Sequence, residues 1–86
     1  MTSIQMHLVA SITNLIAKAK DKDLIDRFQS IGISANGKHV KAVFEIYDDK
    51  WLANLSSAFH MKLYKDFKKL EVIKGIGPGT LYFSAK

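Results

Sequence analysis

Apolar and polar positions change period repeatedly along this chain, and each change marks an element. Ile4, Leu8, Ile12, Leu15 and Ala19 recur at three- and four-residue spacing, which is one face of a helix. The stripe loses phase at AKAKDKDL, where Leu24, Ile25 and Phe28 would point elsewhere on a straight helix. A second short helix is predicted there, capped by Asp23 and with Asp26 favouring its N-terminus. The period then becomes two. Val40, Ala42, Phe44 and Ile46 alternate with His39, Lys41, Val43, Glu45 and Tyr47. Asn36–Gly37 is a two-residue hairpin signal, because both central positions of such a turn need positive φ. Closing the chain there pairs Ile33 with Val40 and Ile31 with Ala42. All four share one face, so turn chemistry and hydrophobic pattern agree on register.

Helical spacing returns in DDKWLANLSSAFHMKLYKDFKKL, where Leu52, Leu55, Phe59, Leu63, Phe67 and Leu70 form a narrow stripe. Asp48 or Asp49 supplies the N-cap. EVIKGIGPGTLYFSA then reads as two short strands around Gly77-Pro78-Gly79. Proline presets φ at the second turn position and glycine supplies positive φ at the third, so a type II turn is expected. The order α(α)ββ then αββ predicts one α+β domain over residues 1–86. Its sheet is four-stranded and mainly antiparallel, with helices packed on one face. The other face is left open and carries His39, Lys41, Val43, Glu45 and Tyr47, joined by Ile73, Tyr82 and Ser84. A faint internal echo sets Leu24, Phe28, Ile31 and Ile33 opposite Leu63, Phe67, Leu70 and Val72. Two amphipathic helices each feeding a strand produce such an echo, as does an old duplication.

Composition narrows the function. The chain has 86 residues, of which 48% are hydrophobic, enough for a core but a thin one. A partner copy is a common remedy for a small core, and a homodimer is expected. There is no cysteine, which excludes disulfides, thiolate metal sites and cysteine nucleophiles and fits a cytoplasmic protein. The N-terminal stripe is interrupted by Gln5, His7, Ser11, Thr13 and Asn14. With no run of about 18 apolar residues, no membrane partner is expected.

Charge is the strongest functional signal. Thirteen Lys and Arg against eight Asp and Glu leave a net +5, favouring an anionic partner. Arg27 is the one arginine. Lysine is a hydrated point charge suited to phosphates rather than to bidentate base reading. The segment FHMKLYKDFKKLEVIKG carries Lys62, Lys65, Lys68, Lys69 and Lys74. On a helical wheel through residues 51–70, Lys65 and Lys68 fall near the outward pole, with Lys62 and Lys69 on a flank beside Trp51. Lysines also keep an ordinary helix face soluble and suit its C-terminal turn. Met61 and Tyr64 outside the core stripe tilt the segment towards an interface.

Other chemistry is thinly represented. His7, His39 and His60 lack metal-ligand spacing, and no metal or cofactor is expected. His39, Lys41, Glu45 and Tyr47 alternate onto one strand face, which suits a base, a phosphate clamp and an acid for RNA cleavage. In size and charge the chain looks similar to RelE-like endoribonuclease toxins, which favour arginine at the site. VIKGIGPGTL resembles the hairpin of a helix-hairpin-helix DNA-binding module, whose GIGP backbone amides meet a phosphate. That module needs a following helix, whereas TLYFSAK is β-rich, so a β-turn is predicted instead.

The expected function is a non-enzymatic protein that binds RNA or single-stranded nucleic acid. Lys41, Lys62, Lys65, Lys68, Lys69 and Lys74 would meet phosphates, and Tyr47, Tyr64 and Trp51 would stack on bases. The alternative is a protein-interaction module, such as a small phage-type inhibitor or antitoxin that blocks an enzyme, with or without RNA.

Overall fold

The computed structural model describes residues 1–45 and 48–86. Helix α1 spans Ser3–Ala17, α2 Lys22–Arg27 and α3 Asp49–Leu63. Strands β1 (Phe28–Ile33), β2 (Val40–Phe44), β3 (Glu71–Lys74) and β4 (Thr80–Ser84) form a sheet of order β1-β2-β4-β3. Each pairing is antiparallel. The α+β reading and the helix-then-hairpin order therefore hold.

Local chemistry explains the helix starts. Thr2 and Gln5 form a reciprocal capping box at α1, satisfying donors that the first turn would leave orphaned. The Gln5 side chain also donates to the Gly37 carbonyl at 2.9 Å, tying the helix start to the β1–β2 turn. Asp48 caps α3 by accepting from the Trp51 N–H at 2.8 Å. The cap of α2 is Asp21 rather than Asp23. Its carboxylate accepts from the Asp23 N–H, leaving Asp23 in the first turn, where the helix dipole favours it.

One sheet face carries the core. Val40, Ala42 and Phe44 of β2 and Leu81 and Phe83 of β4 point to the helices. They meet Leu8, Ile12 and Ile16 of α1 and Leu52, Phe59 and Leu63 of α3. Phe59 meets Phe83 edge-on at 5.4 Å between centroids, and Phe44 lies 6.3 Å from Phe59. Full burial of such rings supplies about 1.5–3 kcal/mol each.

The hairpin register is the predicted one: Ile33 pairs with Val40 and Ile31 with Ala42. Its turn differs. Gly37 has φ 73°, but Asn36 does not have positive φ. The Ser34 N–H donates to the His39 carbonyl at 2.9 Å, and the Gly37 N–H to the Ser34 carbonyl. Asn36 instead uses its side chain: Oδ1 accepts from Ser34 Oγ at 2.6 Å and from the Lys38 N–H at 3.0 Å. Asparagine was placed at a wider turn by side-chain bonding, not by left-handed backbone. At the β3–β4 turn Gly79 does take positive φ, 69°, as expected.

The two helix–hairpin halves are equivalent by topology. Exchanging β1 with β3 and β2 with β4 leaves the sheet order unchanged. The bond from Ser34 N–H to the His39 carbonyl recurs as Gly75 N–H to the Thr80 carbonyl, at 2.7 Å. In this equivalence Ile31, facing Ala42, answers to Val72, facing Phe83. The echo read from sequence set Ile31 against Leu70 and so was out of step with the structural repeat.

Candidate nucleic-acid interface

Helix α3 ends at Leu63, seven residues short of the apolar stripe that suggested it. Tyr64 is the C-cap, donating its N–H to the His60 carbonyl, and the Asp66 N–H donates to the Leu63 carbonyl in a tighter turn. Lys69 then adopts φ 51°, and β3 starts at Glu71. Phe67 and Leu70 stay buried through this reversal. Helix and turn bury the same spacing here, which is why sequence periodicity ran on past the true end. Continuing the helix to Leu70 would carry the chain about 10 Å beyond Leu63, at 1.5 Å per residue, instead of turning it back into β3.

The corner between α3 and β3 gathers several of the predicted residues. Lys62 lies in the last turn of α3, and Lys65, Lys68 and Lys69 lie in the reversal, all exposed. None has a carboxylate within ion-pair distance among the described residues, where Lys74–Asp49 is the one ion pair found. Asp66 does not pair with Lys62 or Lys69 as local spacing would allow. Tyr64 is 45% exposed and stacks on His60, with centroids 6.0 Å apart and planes 10° from parallel. Lys65 Nζ stands 6.0 Å from the Tyr64 ring centroid. Met61, 69% exposed, adjoins them.

Two further residues belong to this corner, Lys86 and His60. The Lys86 N–H donates to the Lys68 carbonyl at 2.9 Å, which brings a further exposed lysine to the reversal. Nothing in the spacing of Lys86 signals this; it depends on β4 running beside β3. His60, which lacks metal-ligand spacing in the sequence, has Tyr64 as its contact, one helical turn away.

The remaining predicted residues lie elsewhere. Lys41 is on the open face of β2, where it pairs across strands with Gly32 and Tyr82. His39 stacks on Tyr82 there, 5.4 Å between centroids and 8° from parallel. Ile73 faces Tyr82 from β3 and is 46% exposed. Lys74 projects from the other side of β3 and pairs with Asp49 in the first turn of α3 at 3.1 Å. Trp51 sits at that same end, about 18 Å along the helix from Leu63. Its ring packs edge-on against Phe44 at 6.0 Å, and the Arg27 guanidinium lies 4.8 Å from its centroid. Trp51 thus closes the core rim rather than standing beside the lysine corner. Tyr47 lies outside the described residues.

Among the described residues, no group of three or more His, Asp or Glu side chains is placed to hold a metal ion. No described helix is long and apolar enough to cross a membrane. Comparison with known proteins finds no matching family model, no matching curated protein and no matching solved structure.

Proposed function

We propose that this protein is a small, non-enzymatic binding protein of the cytoplasm that grips single-stranded nucleic acid, RNA foremost, at the corner after α3. The carrying observation is that Lys62, Lys65, Lys68 and Lys69, on the last turn of α3 and the reversal after it, are exposed and make no ion pair among the described residues, in the same segment as the stacked His60–Tyr64 pair. Unpaired lysines attract phosphates by releasing condensed counterions. An exposed tyrosine offers a π-face to a splayed base. The near absence of arginine favours backbone contact over base-edge reading. The positive φ of Lys69 supports the same reading, since strained non-glycine backbone clusters where function over-determines it. Lys41, beside Tyr82 on the open sheet face, lies apart from this corner and on the surface assigned below to the dimer, so it is not among the proposed phosphate contacts.

Fluorescence anisotropy with an unstructured single-stranded RNA, the matching DNA strand and a duplex tests this reading. The RNA strand is expected to bind more tightly than the duplex, and Lys65→Gln with Lys68→Gln to weaken it roughly tenfold. Absence of RNA binding at low salt would overturn it. The reading includes a homodimer joined through the open sheet face, whose exposed Ile73 and fully exposed neighbour Ile76 favour burial. Sedimentation at high micromolar concentration should show it, and a monomer there would remove that part.

A further inference from the structure

The helical side of the molecule holds an unfilled furrow between the α1–α2 corner and α3. Its widest part has a volume of about 440 Å³. The floor is apolar, made by Leu15 of α1, Leu24 of α2, and Leu55 and Ala58 of α3. The three leucines pack against the core from one side and remain partly exposed on the other. Helix α2 has only six residues, too short to cover the flank of α3, and the small Ala58 leaves the floor open. The furrow continues past Asn54 towards Trp51. From Trp51 to Lys62 is about 16 Å along α3, the length of three helical turns.

The rim is predominantly positive. Lys18, Lys20 and Lys62 stand around the floor, against the single carboxylate of Asp21. These lysines are exposed and make no ion pair among the described residues. A phosphate backbone would use the rim but gain nothing from a leucine floor. An apolar segment would use the floor but leave the rim uncompensated. Both are satisfied by one chemistry.

We propose that this furrow docks an acidic, amphipathic helix of a partner protein. Aliphatic side chains at i, i+3 or i+4, and i+7 of that helix enter the floor, and its flanking carboxylates face Lys18, Lys20 and Lys62. The proposal is independent of RNA binding; only Lys62 belongs to both surfaces.

The test is selection from a phage-displayed random peptide library against the full chain, followed by affinity measurement on variants. Selected peptides should carry Leu, Ile or Phe at helical spacing with Asp or Glu between. Ala58→Glu, at an exposed position of α3, should weaken them at least about tenfold. Lys18→Glu with Lys20→Glu should do the same, with unchanged thermal unfolding as the control for folding. Failure to select any peptide, or selection of peptides that lack carboxylates or bind Ala58→Glu normally, would overturn the proposal. So would Ala58→Glu weakening single-stranded RNA as much as peptide, which would assign the furrow to nucleic acid. Loss of RNA binding alone through Lys65 and Lys68 would leave the furrow proposal standing.

Discussion

Lys74 Nζ lies 3.1 Å from Asp49 Oδ1, joining β3 to the first turn of α3. The pair is open to solvent, with side chains 56% and 76% exposed. Exposed pairs of this kind contribute about 0–1 kcal/mol. Among the described residues, Lys74 is thus the one lysine of the basic segment matched by a carboxylate, and it stands at the far end of α3 from the others. Lys74→Ala should change stability by less than about 1 kcal/mol in urea unfolding. It should also leave RNA affinity within about twofold, where Lys68→Gln lowers it further. Equal losses from both variants would mean that the anion-binding surface extends along the whole helix.

Gly75 is set by its neighbours rather than by its own backbone. A Cβ added there would come within 2.6 Å of Thr80 Cγ2 and 3.0 Å of Thr80 Cβ, and Thr80 is buried. Gly75→Ala should destabilise by about 1–3 kcal/mol. Adding Thr80→Ser removes the closest methyl, so the double variant should lose less than the sum of the two single losses. Strict additivity in thermal unfolding would show that the close approach does not set the cost.

The β1–β2 turn gives a test of how asparagine acts. Gly37 needs its positive φ, so Gly37→Ala should cost about 1–2 kcal/mol. Asn36→Gly should also be destabilising, by about 1 kcal/mol, because it discards the bonds to Ser34 and Lys38. A two-residue turn with left-handed Asn36 would instead accept glycine at little cost. Chemical denaturation of the two variants distinguishes these turns.

Lys69 separates stability from binding. A lysine at φ 51° pays a conformational penalty that glycine avoids. Lys69→Gly should therefore stabilise the fold by up to about 1 kcal/mol. If Lys69 meets a phosphate, the same change should weaken RNA binding several-fold. A variant that gains stability and keeps full affinity would make Lys69 a turn residue only.

Most of the fold was legible because burial and pattern point the same way. The alternation through Val40, Ala42 and Phe44 and the glycine at position 37 fixed the first hairpin without any long-range information. The end of α3 was not legible. Phe67 and Leu70 are buried from a turn at the spacing a helix would use, and no glycine or proline announces the stop. The candidate site suffered from the same error. A wheel drawn to residue 70 spread the lysines around a helix, whereas Lys65, Lys68 and Lys69 lie on the reversal beside Lys86. The stack of His39 on Tyr82 was half legible. Both were assigned to the open face, but their contact depends on the pairing of β2 with β4, which joins residues far apart in sequence and leaves no local signature.

The most direct test of the central claim is the salt dependence of RNA binding by the parent chain and by a variant with Lys62, Lys65, Lys68 and Lys69 changed to Gln. For single strands each phosphate contact contributes about −0.7 to the slope of log affinity against log salt. The parent slope should be near −3, and the variant should lose most of it with unchanged unfolding. A variant slope equal to the parent's, or parent binding indifferent to salt, would contradict the account.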